Sequence, residues 1–300
     1  MVKIAYHPCY CHPLPEGHRF PMIKYELIPE QLLYEGTITE TQIHQPKPIS
    51  ETSILRAHCA EYWNNLKTLN LSKRAERKIG FPLSEALIER EIIIAKGTID
   101  IALSALENGI GLNVAGGTHH AYSNRGEGFC LLNDIAIAAL ELLSTKRAYK
   151  ILVVDLDVHQ GNGTAEIFQE DNRVFTFSMH GAKNYPLKKE QSDLDIALED
   201  HCGDGEYLSI LKNTLPKLIE EQKPDFIFYL SGVDILKGDK LGRLALSIDA
   251  SKERDRYVME TALKNKIPMA VSMGGGYSKS IATIVNAHAN TYRTAMELFA

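Results

Sequence analysis

Short apolar runs that stop abruptly at acids, histidines or glycines recur along this chain and alternate with longer segments of helical periodicity. The runs are Val2–Tyr6, Leu112–Ala115, Ile151–Val154, Val174–Ser178, Phe226–Leu230 and Met269–Ser272. They have strand length, and most lack polar alternation, as strands buried on both faces do. Ser84–Glu107, Asp134–Leu143, Asp204–Gln222, Ser251–Lys264 and Lys279–Leu298 read as helices, the first with Ser84 as N-cap and Gly109 as stop. Such alternation folds as a mostly parallel sheet with helices on both faces. The stretch after the first strand, rich in Pro, His and Gly, reads as a long loop, and Gln42–Phe81 has weak periodicity. No repeat or linker divides the chain, so residues 1–300 are expected to form a single α/β domain.

Composition excludes more than it selects. A charged fraction of 24% with 33 basic and 38 acidic residues, net −5, gives no general attraction to nucleic acid or anionic membranes. No apolar run approaches the roughly 20 residues that span a bilayer. The 5 cysteines are odd in number and form no Cys-x-x-Cys pair, which suits reduced thiols. Met1–His7 runs straight into a strand with no signal peptide, so a cytoplasmic enzyme is expected.

The chemically suggestive residues follow the strands. Leu112–Ala115 leads into Gly116-Gly-Thr-His119-His120, and Ile151–Val154 into Asp155-Leu-Asp157-Val-His159-Gln-Gly161-Asn162-Gly163. Phe226–Leu230 leads into Ser231-Gly-Val-Asp234, and Met269–Ser272 into Met273-Gly-Gly-Gly276-Tyr277. In a parallel sheet these loops converge at the carboxyl edge, where open α/β folds build their sites. Strand alternation would place Asp155, Asp157 and His159 on one face.

Each motif alone has an ordinary reading. Tandem histidines are often surface or satisfied core residues, and an Asp after a strand is commonly a helix N-cap. The Gly274–Gly276 triplet fails Gly-x-Gly-x-x-Gly, because position 279 is Lys. Carboxylates crowded at a buried strand end, however, repel one another unless a cation neutralises them. The Asp/His mixture favours zinc. His7-Pro-Cys9-Tyr-Cys11-His12 lacks a second ligand pair, and Asp193–Asp200 reads as a solvated acidic loop.

Zinc on Asp157, His159 and Asp234 would leave a position open for water and a substrate oxygen. The adjacent histidines supply a base for water and an acid for a leaving nitrogen. Tyr277 can donate to a developing oxyanion. Together these parts describe metal-assisted amide hydrolysis. A binuclear site of the arginase-like ureohydrolases needs further carboxylates where Gly161 and Gly232 stand, so a single metal is expected.

These motifs closely resemble the zinc-dependent histone deacetylase family. The matching segments are Gly-Gly-Thr-His119-His120-Ala, Gly126-Glu-Gly128-Phe129-Cys130-Leu-Leu-Asn133-Asp134, Asp155–Gly163, Gly232-Val-Asp234 and Gly-Gly-Gly-Tyr277. They occur in the family's order from about Ser84 onwards. Asn162, Ser178-Met-His, Tyr185-Pro186 and Asp234-Ile-Leu-x-Gly-Asp239-x-Leu-Gly242 are most like its class IV branch. The resemblance implies the arginase/deacetylase fold with about eight parallel strands, zinc on Asp157, His159 and Asp234, and His119 hydrogen-bonded to Asp155. It also implies an acyl-lysine tunnel walled by Phe129 and Tyr185, rimmed by Leu241, with the Gly128 carbonyl receiving the substrate amide. A structural potassium would use Asp155, Ser178 and the carbonyls of Asp157, His159 and Met179.

The class I pattern places an Asp where this chain carries Asn162 as partner of His120. A neutral amide orients the imidazole without stabilising its charge, so His120 is expected to be neutral at pH 7. The expected activity is zinc-dependent removal of acetyl or longer fatty acyl groups from lysine side chains. An amidohydrolase of acetylpolyamines is the second enzyme reading. A non-catalytic acyl-lysine scaffold would predict a broken ligand set or a missing Tyr277, and neither is found. The acyl-lysine partner is a protein, a peptide or an acylated small amine.

Overall fold

The computed structural model describes residues 1–300. Its strands are β1 (Lys3–Ala5), β2 (Ile43–His44), β3 (Ile110–Asn113), β4 (Ile151–Asp155), β5 (Val174–Gly181), β6 (Leu194–Leu198), β7 (Phe226–Gly232) and β8 (Met269–Gly274). They form one 8-stranded sheet in the order β2-β1-β3-β8-β7-β4-β5-β6. Every pairing is parallel. Every residue of β3, β4, β7 and β8 is buried, which explains their continuous apolar sequence. Because these strands run parallel, their carboxyl ends bring the four loops to one edge.

The helices are α1 (Lys24–Tyr34), α2 (Glu51–Ala57), α3 (Ala60–Lys67), α4 (Lys73–Ile79), α5 (Glu85–Asn108), α6 (Asp134–Ser144), α7 (Asn162–Phe168), α8 (Asp204–Gln222), α9 (Ile248–Asn265) and α10 (Ile281–Phe299). The Ser84 side chain accepts from the Leu87 amide at the start of α5, and Gly109 ends the helix at φ 82. One connected cluster of 82 buried residues spans the sheet and its helices, so the chain has a single main core.

Two readings need correction, and one unassigned region proves helical. The long loop after the first strand contains α1, whose Tyr25, Ile28 and Leu32 are buried at helical spacing. Gln42–Phe81 contains α2, α3 and α4, with Ser50 and Ser72 capping the first and last. Helices of 7 or 8 residues give little length over which a period can show. The acidic segment after Asp193 is no solvated loop, because β6 pairs there with β5. Asp193 Oδ2 accepts from the Thr176 amide and hydroxyl at 2.7 and 2.8 Å, and Asp195 accepts from Gln160 Nε2 at 2.8 Å.

Candidate active site

Strand β4 stops at Asp155, and residues 157–159 form a bend. The alternation expected to align Asp155, Asp157 and His159 on one face therefore ends early, and these side chains take different partners. Asp155 Oδ2 lies 2.7 Å from His119 Nδ1, while Asp155 Oδ1 accepts from the Asp157 amide at 3.1 Å. Asp157, His159 and Asp234 are all buried, and one ligand atom from each lies within 4.8 Å of the others. His159 Nδ1 is 3.0 Å from Asp157 Oδ1 and 3.1 Å from Asp234 Oδ2. Its hydrogen bond is aligned on Asp157, which leaves Asp234 Oδ2 buried with no hydrogen-bond partner. A buried carboxylate oxygen without a partner is costly, and a divalent cation among these atoms would satisfy it. The donor set therefore fits zinc. Asp234 caps no helix, because Ser247 performs that role for α9.

Glycine is required around these acids for reasons of space. A Cβ on Gly232 would lie 2.6 Å from Asp157 Oδ2, and one on Gly161 would lie 2.3 Å from Asp155 Oδ2. The side chains needed for a second metal have no room at either position. A Cβ on Gly275, which sits at φ 54, would fall 2.0 Å from Asp234 Oδ2.

The two histidines have unlike surroundings. Burial opposes protonation of His119, but the Asp155 carboxylate outweighs it and raises the imidazole above its ordinary pKa. His120 Nδ1 lies 2.6 Å from Asn162 Oδ1. Burial, with the neighbouring His119 and His159, holds His120 well below the ordinary value, and Asn162 opposes this only in part. The Asn162 amide nitrogen donates to the Tyr122 hydroxyl at 2.9 Å, so its oxygen faces His120 and accepts the Nδ1 proton. His120 Nε2 is then the free base. Among the metal-ligand candidates, burial is overcome by Asp157 and Asp234 at His159, whose pKa rises to about 10. Burial and the Asp157 charge raise Asp234 to about 7. For Asp157 burial acts upward, but His159 and His119 hold it below the usual carboxylate range.

Tyr277 is 9% exposed and lines the same cavity as His119, His120, Asp157, His159 and Asp234. Its amide donates to Asp239 Oδ2 at 2.6 Å, and Asp239 Oδ1 accepts from the Leu241 amide at 2.8 Å. Asp239 thus ties the tyrosine loop to the rim. Phe129 has φ 68 and its ring packs against Phe20, Phe81 and Tyr277. Gly128 has φ 54, and a Cβ there would meet His120 Cδ2 at 2.7 Å. The Gly128 carbonyl is approached by the Cys130 thiol at 3.4 Å, a weak donor that an amide N–H can displace. Tyr185 stands edge-on to His120 with ring centroids 4.9 Å apart, and its hydroxyl donates to Glu127 Oε2 at 2.6 Å. Phe129, Tyr185 and Leu241 all line the mouth.

Ser178 pairs in register with Asp155, next to Met179 on β5. The Ser178 hydroxyl lies 3.0 Å from His180 Nδ1. Neither Asp155 nor Ser178 has an orphaned oxygen of the kind found on Asp234.

Sequence reasoning missed the cations behind the site. Lys24 of α1 is 2% exposed, donates to the Gly275 carbonyl, and lines the inner cavity with Arg90. Burial lowers its pKa to about 8, against the pull of Asp234 and Asp157. Arg254 of α9 is fully buried, and its Nη1 donates to the carbonyls of Leu156 at 3.1 Å and Gly232 at 2.6 Å. It straps together the two loops that carry Asp157 and Asp234. The one clue was register: Arg254 falls midway between Ala250 and Val258 on the buried stripe of its helix.

The fold and this strand-end constellation define a hydrolytic α/β protein of the arginase/deacetylase kind. The histone deacetylase domain family matches residues 18–292, and the chain belongs to that family. It is 43% identical over 296 residues to an uncharacterized protein of Picosynechococcus, covering 99% of each. It is 31% identical to histone deacetylase 2 of Arabidopsis thaliana, covering 89% of this chain and 72% of that protein. A solved histone deacetylase homologue complexed with SAHA superposes with TM-score 0.83 at 25% identity, over 99% of this chain and 83% of its own. A homologue from Aquifex aeolicus shares the fold with TM-score 0.83 at 22% identity, over 97% of this chain and 82% of its own. Family and fold together make the chain a deacetylase hydrolase.

Proposed function

We propose that this protein removes short acyl groups, acetyl above all, from lysine side-chain amides with one zinc ion on Asp157, His159 and Asp234. The observation that carries the reading is the orphaned Asp234 Oδ2 in a buried Asp-His-Asp cluster beside two differently tuned histidines. Zinc, when bound, supplies a Lewis acid for the carbonyl and for water. His120 Nε2 takes a proton from the attacking water, since its Nδ1 proton is committed to Asn162. His119, whose protonated form Asp155 favours, delivers a proton to the departing amine nitrogen. The Tyr277 hydroxyl donates to the carbonyl oxygen as charge develops. The Gly128 carbonyl accepts the substrate amide N–H, while Phe129, Tyr185 and Leu241 flank the alkyl stem. Asn162 positions the base and Asp155 the acid.

Acyl length follows from the inner end. The cavity there is about 40 Å³, room for a few waters, and its floor includes the cations Lys24 and Arg90. A fatty chain reaching past the catalytic residues would press methylenes against the buried charges of Lys24 and Arg90. We retain the class IV resemblance on Asn162 and the Asp234–Gly242 loop, without the long-chain preference of that branch. The potassium role of Asp155, Asp157, His159, Ser178 and Met179 rests on the resemblance alone. The test is a series of acetyl-, octanoyl- and myristoyl-lysine peptides. kcat/KM should be highest for acetyl, and activity should vanish on chelation and return with zinc. Equal or faster turnover of myristoyl-lysine would defeat the short-chain reading.

A further inference from the structure

Outside the catalytic cavity the mouth opens into a space of about 280 Å³. Arg19, Lys78, Lys183 and Arg243 line it, and no carboxylate does. They come from four separate segments: the loop before α1, helix α4, the loop after β5 and the loop after β7. This basic ring runs against the net charge of −5 for the whole chain. Its carboxylate partners are too few to cancel it. Glu127 is shared between Lys78 at 2.9 Å and Arg125 at 3.0 Å. Asp200 lies 3.0 Å from Arg243 and 3.9 Å from Lys183, which also reaches Glu199 at 3.4 Å. Arg19 pairs with no carboxylate and lies over the Phe129 ring, 4.9 Å from its centroid. Five cations therefore face three carboxylates around the mouth.

We infer that the rim selects an acylated amine whose surroundings are anionic, namely an acyl-lysine flanked by Asp or Glu. This rests on the deacylase reading above and adds the part of the substrate that stays outside the tunnel. A lysine whose stem enters between Phe129 and Tyr185 places its flanking residues over Arg19 and Arg243. Carboxylates there pair with these solvent-facing cations, and basic flanks are repelled, through interactions that salt screens. A polyamine, cationic along its length, meets the same repulsion, as does a lysine-rich tail. A free acylated diamino acid presents one carboxylate to the same ring.

The experiment uses one acetyl-lysine in peptides flanked by Asp/Glu, by Ala/Ser or by Lys/Arg, with free Nε-acetyl-lysine and acetylspermidine as further arms. At low ionic strength kcat/KM should be about 10-fold or more higher for acidic than for basic flanks, and the gap should shrink at high salt. In the double variant Arg19→Glu/Arg243→Glu the order should reverse. If free Nε-acetyl-lysine surpasses the acidic peptide, the carboxylate source is the amino acid itself. Binding of the same peptides to the Tyr277→Phe protein, read by fluorescence anisotropy, reports the rim preference without turnover. Acid-selective binding with no hydrolysis by the wild type would defeat the deacylase reading and uphold the rim. Equal binding and turnover across flanks, or a preference for basic ones, would overturn the rim inference alone.

Discussion

His120 Nδ1 and Asn162 Oδ1 meet at 2.6 Å, both residues buried, where a carboxylate would have made an ion pair. The amide is fixed from behind: its nitrogen donates to the Tyr122 hydroxyl, which donates to Glu190 Oε1 at 3.1 Å. Gln160 holds Glu190 by accepting its amide at 2.9 Å and donating to its carbonyl at 2.7 Å. Orientation of the base thus comes from a chain of hydrogen bonds, and neutrality comes from burial.

Replacing Asn162 with Asp should separate these two contributions. A carboxylate at that position favours the imidazolium, so the His120 pKa rises. The base works only when neutral, so the acidic limb of the kcat/KM profile should move to higher pH by the same amount. Activity on the alkaline side should change less. An acidic limb that stays in place would show that His120 is not the group titrating there.

Much of this site was legible in the sequence because strand ends are marked twice, by an apolar run and by the polar residue that stops it. His119, Asp157, Asp234 and Tyr277 all fall at such boundaries, and parallel pairing is enough to bring them together. Lys24 and Arg254 were not legible, since a single cation on a helix reads as a solvated face until packing shows otherwise. The weak periodicity of Gln42–Phe81 concealed three short helices for a related reason: their stability comes from docking and from the Ser50 and Ser72 caps. The basic mouth was hidden by distance in sequence, as Arg19, Lys78, Lys183 and Arg243 share no motif.

Zinc binding should release protons. His159 must be neutral to coordinate, yet its two carboxylate neighbours raise its pKa to about 10 in the protein alone. At pH 8 nearly every molecule therefore carries that proton, and loading should expel about one proton per zinc. Asp234, raised to about 7, adds a further fraction below pH 7. Calorimetric titrations in buffers of different ionisation enthalpy would measure the number, which should fall as pH passes 10. Enthalpies independent of the buffer at pH 8 would contradict the protonated cluster. By the same linkage, the His159 contribution to zinc-free stability is present below about 6.5 and is lost as pH rises through 10.

Tyr277→Phe tests the oxyanion contact. The ring remains packed against Phe20 and Phe129, so folding and zinc content should be unchanged. Loss of the hydroxyl should cost about 2–4 kcal/mol of transition-state stabilisation, roughly 30- to 1000-fold, with kcat bearing most of it. A variant that kept wild-type kcat would remove Tyr277 from the reaction.

Arg254 offers the sharpest test of how the fold holds the ligands. Its guanidinium is enclosed between β4, β7 and α9, donating to Leu156 and Gly232 through Nη1 and to Asp255 Oδ1 through Nε at 2.8 Å. Asp255 in turn accepts from the Tyr229 hydroxyl at 2.5 Å and the Thr291 hydroxyl at 2.6 Å. Arg254→Met removes the cation but leaves the carboxylate buried, so stability should drop by about 3–5 kcal/mol and Tm by roughly 5–8 °C. Arg254→Lys keeps the charge, but one ammonium cannot reach both carbonyls and the Asp255 carboxylate, which the guanidinium serves through separate nitrogens. That variant should fold, as judged by circular dichroism, and bind zinc about 10- to 100-fold more weakly in competition with a chromophoric chelator. The two loops would then be free to separate, taking Asp157 from Asp234. Unchanged zinc affinity in the folded lysine variant would mean that the glycine packing alone sets the ligand geometry, and that Arg254 serves only stability.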